Sequence, residues 1–336
     1  MLRYTIRRLL QLVVALFALS LLLFIWLRSL PGGTVTALLG DRATPEKVAA
    51  LRTALGLDQP IIVQYFKYLG RMLRGDFGTS TGVAPGTPAL EVFGARFGAT
   101  VELAIGAMVF ALIFGIPLGY LAARRKGGWM DNAGILASLV GIAIPVFFLA
   151  FLMKWLFAVK LGWLPPSGRQ SPDIDATRVT GFFILDGLIT REWDASWDSI
   201  RHLILPWIAL GTIPFAVIFR ITRSSVLEVQ NEDFVRTAQA KGLTTRVIRG
   251  RHILRNAMLP VVTIVGLQVG GLLAGAVLTE TIFNLAGVGR AVTEAIATRD
   301  YSVVQGFVLV IAIGYLFLNL LVDISYAFLD PRVRLS

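Results

Sequence analysis

The sequence predicts an all-α integral membrane protein: six transmembrane helices, with a small external helical subdomain after the first. Three observations carry that prediction. The 336 residues are 55% hydrophobic and only 16% charged, and mean hydropathy is +0.71. A soluble domain of this length carries more charge to solvate its surface. Six uncharged runs are long enough, or nearly so, to cross a bilayer of about 30 Å. The net charge of +11 falls on alternate connecting segments, not evenly along the chain.

The first run, Leu9–Leu27, follows a basic start and resembles a secretory signal. Its apolar part is longer than a usual signal core and no clear small-residue cleavage site follows, so it reads as a retained span. Residues 1–30 are thus assigned to an N-terminal transmembrane helix and residues 31–98 to the external subdomain. In that subdomain Leu51, Leu55, Ile62, Tyr65, Leu69 and Leu73 recur at helical spacing, broken by Pro60. Two or three short helices are expected there. Residues 99–330 form a five-helix core, with spans at Leu103–Ala123, Asn132–Met153, Leu203–Phe219, Ala257–Thr279 and Tyr301–Val322. The Leu203–Phe219 run is the shortest. The core includes an external loop, 160–200, and a cytoplasmic loop, 220–256; residues 331–336 are a cytoplasmic tail.

Six spans put both termini on one side, and the positive-inside rule selects the cytoplasm. Segments 1–8, 124–131, 220–256 and 324–336 then lie inside, with sixteen Lys/Arg against five acids. Outside them the two signs balance, so a topology signal accounts for the basicity and nucleic acid is not expected as a partner. The chain has no cysteine and two histidines, which leaves no disulfide framework or thiolate metal site; no metal site is expected.

Residues 220–256 hold eleven charges. At about 2.5–3.5 kcal/mol each in a bilayer centre, roughly 30 kcal/mol in all, the segment is excluded as a span. It is nevertheless patterned. Asp233 is placed to cap a helix, Val235, Ala238 and Gly242 share one face, and Gly242 ends the helix as a left-handed cap after Lys241. The exposed face is expected to consist of small residues. A second helix, Thr245 to Ala257, runs back toward the membrane and Pro260.

Glu102, Lys154 and Glu280 fall at predicted outer ends of spans and Asp323 at an inner end, where side chains reach water. Glu280 is the leading pathway candidate among them. Pro117, Pro145 and Pro214 are expected to kink their spans, with Pro145 and Pro214 as candidate gate hinges. Gly266, Gly270, Gly271 and Gly275 suit close helix packing. Trp129, Trp155, Trp163 and Trp207 fit interfacial belts. The chain contains no G-x-x-x-x-G-K-[ST], no G-x-S-x-G and no H-E-x-x-H, so no catalytic residues are assigned.

The cytoplasmic segment resembles a motif of ABC importer membrane subunits: EAA, three residues, Gly, nine residues, Ile, one residue, then LP. Here Arg236-Thr237-Ala238 is followed after three residues by Gly242, and Met258-Leu259-Pro260 closes the run. Arg236 replaces the glutamate, and His252 or Ile253 approximates the isoleucine. RTA-x-A-K-G-L is the form typical of the peptide branch. GLDQPIIVQYFKYLGRMLRGDFGTS (Gly56–Ser80), DGLITREWDASWDSIRHLILP (Asp186–Pro206), TETIFNLAGVGR (Thr279–Arg290) and LLVDISYAFLDPRVR (Leu320–Arg334) likewise resemble the dipeptide/oligopeptide ABC transporter permease family. PGG at Pro31–Gly33 departs from the family's more frequent PGDP.

The resemblance implies a type I ABC importer permease fold and a permease subunit of an ATP-driven peptide importer in a bacterial inner membrane. Its implied partners are a second homologous permease, two ATP-binding cassette subunits and an external substrate-binding protein, all in a setting of membrane lipid. Arg236, Thr237, Ala238, Lys241, Gly242, Leu243 and Thr244 would form the helix that couples to an ATPase subunit. The chain itself would bind no cofactor; ATP and Mg would be used by the partner ATPases. The same branch includes importers of nickel complexes and glutathione. An ion-coupled secondary transporter is a further alternative, though it calls for mid-span charges where this chain carries end-of-span ones. A membrane scaffold without a transport path is another.

Overall fold

In the computed structural model, residues 2–29, 35, 39, 44–54 and 56–329 are described. Pro31–Gly33, Leu55, the chain end 330–336 and the side chains of Leu51 and Asp323 lie outside that set. The described residues form helices in the order α1 (Leu2–Ser29), α2 (Pro45–Ala54), α3 (Ile61–Leu73), α4 (Ala89–Arg124), α5 (Trp129–Ala143) and α6 (Val146–Met153). There follow α7 (Phe183–Thr190), α8 (Trp193–Val229), α9 (Asp233–Ala240), α10 (Thr245–Val247), α11 (Arg255–Ile282), α12 (Val288–Ala297) and α13 (Tyr301–Leu329). Wider π turns continue α6 through Lys154–Lys160 and join α10 to α11 through Ile248–Leu254. Five helices are long and apolar enough to cross a membrane, six if α5 with the α6 segment counts as one broken span.

That broken span departs from the sequence reading. Asn132–Met153 was expected to cross as one helix; the chain instead turns by 105° between Trp129–Ala143 and Val146–Lys160. Pro145 sits at the break as the cap residue of α6. It has no N–H to continue α5, and it holds Ile144 in an extended conformation, φ −81° and ψ 123°. Pro117 and Pro214 lie inside unbroken helices. The expected short span Leu203–Phe219 is the apolar middle of α8, which runs on through polar residues at both ends.

The chain divides into two compact units. The first comprises Met1–Phe97 and Val288–Leu321. Here α1 packs on α3: Leu23 and Phe24 bury against Tyr65 and Tyr68, with Phe24 edge-on to Tyr65 at 5.2 Å. Ile62 and Leu73, read from their spacing as part of the same apolar face, are exposed. The other core of this unit joins Val92 and Phe93 to Val288 and Ala291 of α12 and to Val303 and Phe307 of α13.

A loop in this unit closes around a carboxylate. Asp300 Oδ2 accepts hydrogen bonds from Ser80 Oγ at 2.5 Å and from the backbone N–H groups of Thr81, Gly82 and Val83 at 2.9–3.1 Å. Burial pushes the Asp300 carboxyl up. The hydrogen bonds from Ser80 and the backbone outweigh that and hold it below the usual carboxylate range. Its contribution is therefore complete above the unfolded value of about 3.9 and is lost as pH falls through the lowered folded value. Asp300→Asn is expected to cost about 2–3 kcal/mol at neutral pH. Equilibrium unfolding in detergent checks this; the gap between variant and wild type closes in acid.

The second unit comprises Gly98–Gly287 and Val322–Ser336. Its main core gathers Leu103 and Ala107 of α4, Ala150 and Met153 of α6, Leu203 and Leu210 of α8, and Leu272 and Ala276 of α11. The α4–α8 crossing is close because both helices bring glycine to it. A methyl group at Gly211 would lie 2.7 Å from the Ala107 carbonyl oxygen, and one at Gly119 would lie 2.6 Å from that of Phe219.

Candidate functional site

Two places in the second unit concentrate unusual chemistry. The first follows α8. Helix α9 begins after Glu232, whose extended backbone (φ −70°, ψ 146°) caps it without a side-chain bond. Asp233 is thus a first-turn residue and not the cap, though its charge still suits the helix N-terminus. Val235 and Ala238 are buried against Ala123, Val226, Ile248, Ile253 and Ala257. The helix ends as its sequence suggests. Gly242 has φ +74°, its N–H donates to the Gln239 carbonyl at 2.9 Å, and the Leu243 N–H donates to that of Ala238 at 3.3 Å. This is the paired closure that a left-handed residue allows.

Two expectations for this segment are corrected. Ala238 faces inward, so the outward surface is not made of small residues alone. It presents Phe234, Arg236, Gln239, Lys241 and Leu243 beside Thr237, Ala240, Gly242 and Thr244, all exposed. The small side chain of Ala238 instead lets α9 sit close on its own supports. The second helix does not stop at Ala257: it continues from Thr245 through the π turn into α11, with Pro260 inside.

The other place is at the start of the α4 span. Arg169 bonds the Glu102 carboxylate and donates to the Gly181 carbonyl at 3.0 Å. Glu102 also accepts the Ile184 N–H at 2.8 Å. Arg169 and Arg178 both lie against the Phe183 ring, at 3.7 and 3.3 Å from its centroid. Asp186 ties the same loop: it accepts from Thr180 N–H at 2.7 Å, Thr180 Oγ1 at 2.6 Å and Gly181 N–H at 3.1 Å. Burial raises the Asp186 pKa, but the bonds from Thr180 and its neighbours prevail and leave it below the usual carboxylate range. Beside this network lies a cavity of about 830 Å³. Ile105, Val109 and Ile113 of α4, Leu185 and Leu188 of α7, and Ile204, Trp207 and Ile208 of α8 line it, and Glu102 is its ionisable member. Such walls suit hydrocarbon and offer a peptide backbone few partners.

Glu102 and Glu280 were expected to reach water from span ends. Both are buried: Glu102 is 8% exposed and Glu280 0%. Thr100 Oγ1 donates to Glu280 at 2.6 Å, and a methyl group at Gly287 would collide with its carboxylate. Lys154 reaches inward to donate to the Ile282 carbonyl at 2.8 Å. Trp207, assigned to an interfacial belt, instead lies against Gly106 and donates to the Glu102 carbonyl at 3.0 Å. Pro214 is buried within α8. Of the four glycines on α11, Gly275 meets Leu210 of α8, Gly271 is exposed with open space beside it, and Gly266 and Gly270 are half-buried. Among the described residues no three His, Asp or Glu side chains converge as metal ligands.

The family described as binding-protein-dependent transport system inner membrane component matches residues 115–335. The chain belongs to this family. A second family, described as the N-terminal part of the binding-protein-dependent transport system membrane component, matches residues 1–97. The dipeptide transport system permease protein of Alkalihalophilus pseudofirmus is 44% identical over 334 residues, covering 99% of this chain and 100% of that protein. The protein of that name in Escherichia coli strain K12 is 45% identical over 338 residues, 99% of each. A glutathione transport system permease protein of Salmonella paratyphi A is 37% identical over 334 residues, again 99% of each. The chain is thus a multi-pass permease subunit of the inner membrane, and its all-helical architecture accords with the type I importer fold.

Proposed function

We propose that this permease subunit forms half of the translocation path of an ATP-driven importer of dipeptides and short oligopeptides. The observation that carries the substrate class is the 44% identity along the full length of a dipeptide permease. Its partners are a second homologous permease, two ATP-binding cassette subunits that use ATP and Mg, and an external substrate-binding protein. Helix α9 and the turn after it, Arg236 to Thr244, dock on an ATPase subunit. Phe234 and Leu243 are exposed apolar side chains beside Arg236 and Lys241 there, a composition suited to a protein interface. Both termini face the cytoplasm, because the basic excess lies on segments that this orientation keeps inside.

The test is co-purification in mild detergent with neighbouring gene products, then uptake by vesicles loaded with ATP. The expected result is a complex holding a second permease and P-loop ATPases, with uptake of labelled dipeptide that requires ATP and the binding protein. A chain that purifies without a P-loop partner under every mild condition would overturn the ATPase assignment. The 37% identical glutathione permease supports a second substrate arm, labelled glutathione. Uptake of glutathione and not of dipeptide would reassign the cargo.

A further inference from the structure

A cavity of about 450 Å³ opens between α5 and α8, lined by Ile135, Val217, Arg220, Ile221, Arg223 and Ser224. Its two arginines differ. Arg223 Nη2 donates to Asp131 Oδ2 at 2.8 Å, so its charge is matched by a buried carboxylate. Arg220 lies about one turn deeper into the span, roughly 4.5 Å along the axis. It is exposed, and among the described residues no side chain or carbonyl bonds it. Trp129 is 76% exposed, two residues before Asp131, as expected of a side chain at the membrane–water boundary. The segment 124–131 around it carries Arg124, Arg125 and Lys126, with Asp131 its one acid.

An unmatched guanidinium at the edge of hydrocarbon is unfavourable, and it draws a counter-ion of the depth at which it sits. Ile135, Val217 and Ile221 continue the cavity as apolar wall. A soluble anion gains nothing from that wall, whereas a lipid places phosphate and hydrocarbon side by side. We propose that this cavity binds an anionic phospholipid, its phosphate held by Arg220 and its acyl chain laid along Val217 and Ile221. The flat guanidinium fork suits two phosphate oxygens, and the Ser224 hydroxyl, now donating to the Ile221 carbonyl at 3.1 Å, lines the same space. The inference rests on α5 and α8 lying in the membrane and not on peptide import.

The assembled transporter in nanodiscs tests it, read by native mass spectrometry and by Tm. Phosphatidylglycerol is expected to stay bound to the wild type where phosphatidylcholine does not, and to raise Tm. Arg220→Gln is expected to weaken that binding about tenfold while melting like wild type in pure phosphatidylcholine. Ser224→Glu supplies an internal carboxylate at the i+4 position. It should lose the phosphatidylglycerol preference and remain at least as stable in phosphatidylcholine, which keeps the test decisive if Arg220→Gln fails to fold. Equal binding of the two lipids, or an unchanged preference in Arg220→Gln or Ser224→Glu, would overturn the proposal. So would inorganic phosphate giving the same Arg220-dependent rise in Tm without anionic lipid. Binding to the isolated chain but not to the assembly would mean that a partner subunit covers this face, and would overturn it as well.

Discussion

Arg169→Met is expected to destabilise this permease subunit by about 3–5 kcal/mol, a loss of roughly a hundred-fold to several thousand-fold in its folding equilibrium. Arg169 and Glu102 are both under 9% exposed and bond each other directly. Removing the cation leaves a carboxylate in a site walled by Ile105, Trp207 and Ile208, with the Ile184 N–H among its few remaining donors. Methionine keeps most of the volume, so the loss reports charge more than cavity. Adding Glu102→Gln to that variant should recover most of the stability, because the buried carboxylate left without Arg169 is then neutral. Denaturant melts of the two variants in micelles separate these outcomes; a wild-type melt for Arg169→Met would mean that the pair does not hold the fold.

The next largest effect is functional. Replacing Phe234 and Leu243 together by aspartate is expected to lower ATP-driven uptake by tenfold or more and to release the ATPase subunits during purification. Both side chains stand outside the core that holds α9, so insertion and melting should stay as in wild type. Exposed apolar anchors at an interface are each worth about 2 kcal/mol or more when they are central to it. Gly242 is a poorer probe, since any larger residue at φ +74° strains the turn itself. Full uptake with both aspartates in place would remove α9 as the coupling element.

The sequence made legible what depends on near neighbours. Apolar run length pointed to the long helices, and Gly242 marked the end of α9. The matching motifs led to the family. What stayed hidden depends on remote partners. Glu102 finds Arg169 sixty-seven positions away and Glu280 finds Thr100 one hundred and eighty away, so a place near a span end said nothing of burial. The inward face of Ala238 is fixed by Ile248 and Ile253, which lie beyond a turn. Asp186 does carry a local signal: Thr180-Gly181 just upstream can fold back to bond a carboxylate. Periodicity likewise gave no warning of the 105° turn, because Pro145 stands in a run that is apolar on both sides.

That turn bears on how the chain is made. Helix α5 has 15 residues and the segment after Pro145 another 15, each about 22 Å long and short of a full hydrocarbon crossing. Neither half is self-sufficient in lipid. Much of their support is on α8: Phe219 against Gly134, Thr212 against Gly141, and Leu203 and Leu210 in one core with Ala150 and Met153. Those residues leave the ribosome after both halves have been synthesised. Full seating of the third apolar segment is therefore expected only once α8 has followed it. A ribosome stalled before residue 193 would hold a nascent chain whose middle is still unseated.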